Sequence, residues 1–170
     1  MASDGKGVVY VADSATNTIW RLKDGKFEAW LTDDALNAPN GLHVEGDTLI
    51  VAPFGAMAEA GKEARLAPLL VVSLNDKSIK QLGIGLAFGN LDGVEPIEPG
   101  VYLVTDWASG PLDRVDAQGN VVRLLDLYLS PRDQDDPHPD DAGQRARCLQ
   151  IGVGTSKFLW ICPSIGGRAA

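Results

Sequence analysis

The chain repeats itself, and the repeat restricts its fold more than any other feature does. Gly7-Val8-Val9-Tyr10-Val11-Ala12-Asp13 returns as Gly100-Val101-Tyr102-Leu103-Val104-Thr105-Asp106. Further on, Thr18-Ile19-Trp20-Arg21-Leu22 aligns with Pro111-Leu112-Asp113-Arg114-Val115, Asp24-Gly25-Lys26 with Gln118-Gly119-Asn120, and residues 27–31 with 121–125. A middle copy lies between them. Leu49-Ile50-Val51-Ala52 matches Val9-Tyr10-Val11-Ala12, and Leu74-Asn75-Asp76 matches Leu22-Lys23-Asp24 after an insertion. Similarity at a spacing of tens of residues marks stacked copies of one supersecondary unit, because a single copy cannot bury its apolar face alone.

The unit is a set of short strands joined by tight turns. Asp24-Gly25 is a two-residue hairpin signal, since both central positions of the favoured turn need positive φ. The first copy predicts strands at 8–12, 18–22 and 26–31. The second predicts 41–45, 48–52, 69–74 and 78–82, and the third 93–97, 101–105, 112–116 and 121–126. Only residues 1–6 precede the first strand, so the first copy is expected to lack its innermost strand. Four-stranded antiparallel units in radial repetition build a β-propeller. The expected fold is therefore all-β, a partial β-propeller of about three blades over 1–127, with an irregular C-terminal tail over 128–170. Propellers carry about four to eight blades, so an arc of this size leaves faces and edges uncovered. A homodimer would complete the ring; the other reading is a truncated or frame-altered product without activity.

The insertion, roughly Gly55 to Pro68, is rich in Ala, Glu and Lys and predicts a short helix or long loop on one rim. It either covers a site or decorates the surface. From Tyr128 onward the blade pattern stops. Half of the arginines and both cysteines, Cys148 and Cys162, fall in this tail, while the net negative charge lies before it. One strand is expected there, at 157–162. The cysteines fit no common zinc spacing and make no disulfide framework, so they read as incidental thiols.

A net charge of −8 argues against nucleic acid and anionic membrane surfaces, both of which need a basic face. It suits a cation, or serves solubility. No apolar run reaches membrane-spanning length, and the N-terminus has no charged-then-apolar leader, so the chain as it stands is expected in the cytoplasm. There is no Gly-x-Ser-x-Gly elbow, phosphate loop or His-Glu-x-x-His. Gly83-Ile84-Gly85 has no helix pattern behind it and does not support nucleotide binding.

Val9-Tyr10-Val11-Ala12-Asp13-Ser14 with Thr18-Ile19-Trp20-Arg21-Leu22 resembles the strand pair of an NHL-type blade. Ala38-Pro39-Asn40-Gly41-Leu42 and Asn90-Leu91-Asp92-Gly93-Val94 resemble the blade starts of the senescence-marker-protein/gluconolactonase family, with Asn-Gly and Asp-Gly turns heading the innermost strand. The resemblance spans about residues 7–127. It implies a six-bladed propeller and a divalent cation (Ca2+, Mg2+, Mn2+ or Zn2+) at one channel mouth. It also implies hydrolysis of a lactone or related ester, with Asn40 and Asp92 as metal ligands. The acidic ligand of the family's opening blade has no counterpart here.

The residue types agree with that chemistry, since Asn and Asp oxygens are hard ligands. Two of them do not make a strong site alone. Without a metal, each reads as a turn residue satisfying nearby backbone N–H groups. With one, water would be activated for ring opening, and Asp92, with His43 as a weaker candidate, would act as base. His43 should project opposite to Leu42 and Val44, which also fits a structural histidine. Asp13 and Asp106 close matching strands and read as turn-fixing residues. Trp20 and Trp30 read as packing residues, and Trp107 as packing or channel-mouth lining. Asp113 stands where the first copy has Trp20, which should weaken the third blade unless the position is exposed. The alternative to an enzyme is a non-catalytic propeller scaffold that binds a small ligand or a protein.

Overall fold

A computed structural model describes residues 1–56, 65–126, 149–153 and 157–161. The chain is all-β, with three four-stranded antiparallel sheets. The first comprises β1 (Ala2–Ser3), β2 (Val9–Asp13), β3 (Thr18–Lys23) and β4 (Lys26–Thr32). The second comprises β5 (Pro39–Glu45), β6 (Thr48–Pro53), β7 (Leu70–Ser73) and β8 (Ile79–Gln81). The third comprises β9 (Leu91–Glu98), β10 (Val101–Asp106), β11 (Pro111–Val115) and β12 (Val121–Asp126). In each, the strands pair in chain order.

Away from the bulges, alternation along the strands assigns residues to faces, because directly paired residues project to the same side. On the first sheet Tyr10, Ala12 and Ile19 share one face. They meet Leu42, Leu49, Val51, Leu70 and Val72 of the second sheet, forming the first seam with Trp30 and Leu36. The opposite face of the second sheet offers Ile50 and Ala52, which join Val94, Tyr102, Val104 and Val115 of the third in the second seam. The middle sheet is thus apolar on both faces, which accounts for the unbroken apolar run Leu49-Ile50-Val51-Ala52.

The Asp24-Gly25 turn has positive φ at both residues, 51° and 71°, as the two-residue hairpin requires. Three expectations need correction. The first sheet does have a strand ahead of β2: Ala2 pairs with Tyr10 and Ser3 with Val9. The chain turns back because Asp4 Oδ1 accepts from the Lys6 and Val8 N–H groups. Asn40-Gly41 and Asp92-Gly93 are not turns; both lie inside strands that begin at Pro39 and Leu91. Asp113, by contrast, does occupy the packing position that its alignment with Trp20 implies. It is 2% exposed and faces the second seam beside Val104, with Arg123 Nε 3.4 Å from its Oδ1. The tail is not wholly irregular: β13 (Leu149–Val153) pairs antiparallel with β14 (Lys157–Ile161), a hairpin of which only the second strand was expected.

The insertion leaves and rejoins the fold at a two-way bridge between Ala56 and Arg65. Its middle, 57–64, lies outside the described residues, as do Cys148, Cys162 and the polar run 133–141. Among the described residues, no helix is long and apolar enough to cross a membrane.

Candidate functional site

Asn40 and Asp92 sit at matching irregularities in two sheets. Between β5 and β6 the register runs Pro39 to Pro53 and then Gly41 to Ala52, leaving Asn40 as the extra residue. Between β9 and β10 it runs Leu91 to Asp106 and then Val94 to Val104, so Asp92 and Gly93 together oppose Thr105. A β-bulge of this kind re-aims a side chain out of the pleat. Here the bulges bring the two side chains together, and Asn40 Nδ2 donates to Asp92 Oδ1 over 2.9 Å. The Gly93 N–H, displaced by the bulge, donates to Thr105 Oγ1 at 2.8 Å.

The contact needs close approach of β5 and β9. A Cβ on Gly41 would overlap the Asp92 carbonyl oxygen. Glycine is therefore required at that position for space rather than for an unusual φ.

Both residues are half-buried. Burial pushes the Asp92 carboxyl above the ordinary carboxylate range, and the Asn40 amide pulls the other way by stabilising the ionised form. The carboxylate is thus held in one orientation, with Oδ2 on its other side. Asn40 and Asp92 offer hard oxygen donors, which fits a hydrated Mg2+-like or Ca2+-like ion held by few protein groups. Among the described residues, no group of three or more His, Cys, Asp or Glu could hold a metal ion.

A buried asparagine, Asn90, braces the site from the head of the Asn90-Leu91-Asp92-Gly93-Val94 segment. Asn90 Nδ2 donates to the carbonyls of Phe54 at 2.6 Å and Ala56 at 3.2 Å. The backbone carbonyl of Asn90 accepts from the Trp107 N–H at 2.9 Å. Asn90 therefore ties the ends of β6 and β10 together just ahead of Asp92. Beyond those ends, Phe54 and Trp107 contact each other with ring centroids 5.7 Å apart. Trp107 is 39% exposed, so this aromatic pair forms a partly open wall next to the strand ends.

His43 projects away from Leu42 and Val44, as the alternation requires. Its ring centroid is 6.3 Å from that of Tyr102, across the second seam. Tyr102 donates its hydroxyl to Glu45, which also accepts from the Gly100 N–H at 3.0 Å. Burial, then the Glu45 carboxylate, pushes the Tyr102 hydroxyl pKa up. This cluster links two sheets, and His43 stands within it.

Asp13 accepts from the Ala15 and Thr16 N–H groups. Asp106 accepts from the Ala108 and Ser109 N–H groups and the Ser109 hydroxyl. Both fix the turn that follows their strand. Trp20 stacks on Phe27, and Trp30 packs edge-on to Tyr10 in the first seam. The chain matches no protein-family model, and no curated protein matches it.

Proposed function

We propose that the three sheets are blades of a β-propeller arc related to the senescence-marker-protein/gluconolactonase family. In this reading the Asn40–Asp92 pair is its working site, where a lactone or related ester is hydrolysed with a divalent cation. One observation carries it: equivalent bulges in adjacent innermost strands bring two oxygen-bearing side chains into contact at a half-buried position.

Asn40 and Asp92 would hold the cation, which when bound polarises the ester carbonyl and acidifies a water. The chain's own part is orientation and proton transfer. The Asn40 amide fixes one Asp92 oxygen, leaving the other to take a proton from the attacking water and return it to the departing alkoxide as the acyl C–O bond breaks. The raised pKa strengthens Asp92 as a base relative to an exposed aspartate. The Phe54–Trp107 pair supplies an apolar wall for the non-reacting part of a substrate.

The test is thermal unfolding in EDTA and then with Ca2+, Mg2+, Mn2+ or Zn2+, followed by lactone hydrolysis. A metal at about 100 times its Kd stabilises the folded state by about 2.7 kcal/mol. One metal is expected to raise Tm and support turnover. Asp92→Asn should abolish turnover, and Asn40→Ala should reduce it about 10-fold or more. A cooperative melt indifferent to every metal, with a ligand still bound through the Phe54–Trp107 wall, would replace this reading with that of a binding scaffold.

A further inference from the structure

The chain contains one kind of sheet-to-sheet contact twice. In the first seam the donor face of sheet one presents Tyr10, Ile19 and Trp30, and the acceptor face of sheet two presents Leu49, Val51, Val72, Leu74 and Ile79. In the second seam the donor face of sheet two presents Ile50 and Ala52, and the acceptor face of sheet three presents Tyr102, Val104 and Val115. The polarity is the same each time.

Among the described residues, two faces remain with no sheet packed against them, one of each kind. Sheet one carries an acceptor face. Val9, Leu22 and Phe27 are in register on it, as are Val11, Trp20 and Ala29. No charged residue stands in these two rows, and Phe27 is 58% and Leu22 39% exposed. Val9, Val11 and Leu22 are the repeat equivalents of Leu49, Val51 and Leu74, which in sheet two receive Tyr10 and Trp30.

Sheet three carries a donor face. Leu103 and Leu112 are the equivalents of Tyr10 and Ile19. The bulge between Leu112 and Asp113 makes Leu124 the extra residue, as the bulge between Ile19 and Trp20 does Trp30. Leu103 and Leu112 are buried, but Leu124 is 52% exposed, with Val122 and Leu125 exposed beside it along β12. Trp30 is buried because sheet two lies against it; its counterpart Leu124 is open.

We infer that this chain associates with a second copy of itself, the β12 row of sheet three in each copy docking on the Trp20, Leu22 and Phe27 side chains of sheet one in the other. The interface is the chain's own seam, made a third and fourth time across a two-fold axis. The two patches differ, so each copy uses both, and the assembly closes at two copies with six sheets, within the propeller range of about four to eight. Both Asn40–Asp92 pairs would then face one mouth. The inference rests on the seams and not on the hydrolytic reading, and mass measurements separate the two.

The test is sedimentation equilibrium on the full chain and three variant samples. Wild type is expected at twice the 18.1 kDa of the chain. Phe27→Asp alone and Leu124→Asp alone should each be monomeric with an unchanged far-ultraviolet spectrum, since both side chains are exposed within one copy. Mixing the two variants should restore a weaker dimer, because one patch pair stays intact. Folded wild type at monomer mass would overturn the inference. So would a dimer that survives both substitutions, or a mixture that stays monomeric while wild type is dimeric. Should Phe27→Asp lose its spectrum, Phe27→Ser replaces it with the same expected outcome.

Discussion

At the scale of single residues, Asp92 and Asp76 have opposite shifts. Burial raises the Asp92 pKa, with the Asn40 amide opposing, so the folded state holds that proton more tightly than the unfolded chain. The stabilisation this gives is full below the ordinary carboxylate pKa and is lost as pH rises through the folded value. Asp92→Asn should therefore raise stability at neutral pH, measured as the urea midpoint at pH 7, even as it removes the proposed base. Asn40→Ala takes away the opposing hydrogen bond and should move the Asp92 pKa further up, as read by a carboxyl carbon NMR titration. Asp76 is the reverse case. The Ser78 N–H, then the Ser73 and Ser78 hydroxyls, hold its pKa down at about 2. Its stabilisation is present above the ordinary value and lost as pH falls towards 2. Asp4, Asp13 and Asp116 are lowered by turn hydrogen bonds in the same way. Acid unfolding should thus follow the turn aspartates, and Asp76→Asn should flatten the acid limb of a Tm-against-pH profile.

At the scale of elements, the strands were legible and their irregularities were not. The second strand of the third sheet was expected at 101–105 and spans Val101–Asp106, because alternation plus a turn at each end leaves little freedom. A two-residue strand such as Ala2–Ser3 has no alternation to read; it exists because the inner edge of β2 offers unpaired backbone groups. The bulges escaped for a related reason. An extra residue shows only when two strands are compared in register, so Asn40 and Asp92 read as turn residues when they are strand residues turned out of the pleat. Asn90 escaped because its side chain serves backbone carbonyls, a role with no spacing signature. Gly41 is the sharpest test of the bulge. A side chain there meets the Asp92 carbonyl and also the backbone of Val94 and the side chain of Ala52, so neither strand can yield alone. Gly41→Val should cost about 3 kcal/mol or more and separate Asn40 from Asp92. Urea unfolding gives the first effect, and the Asp92 titration, no longer responsive to Asn40→Ala, gives the second.

At the scale of the molecule, the middle sheet joins the other two. Residues Leu49 to Pro53 on β6 are all buried, with strands paired on both sides and a seam on each face. The outer strands β4 and β12 have one paired side each, and most of their side chains are open to solvent. Local opening follows these differences, because an amide exchanges when its own strand detaches and not only when the whole molecule unfolds. Hydrogen exchange should therefore be slowest along β6 and fastest along β4 and β12. The same arrangement predicts how damage spreads. Ile50 reaches only the second seam, and Leu49 only the first. Ile50→Ala and Leu49→Ala should each cost about 2–5 kcal/mol. If the middle sheet transmits the loss, each substitution speeds exchange in all three sheets and the urea transitions seen by fluorescence and by far-ultraviolet signal stay coincident. If the seams fail separately, Ile50→Ala will release β9 to β12 while β2 to β4 keep their protection. The sheets would then be independent units held in a row, rather than one cooperative body built by repetition.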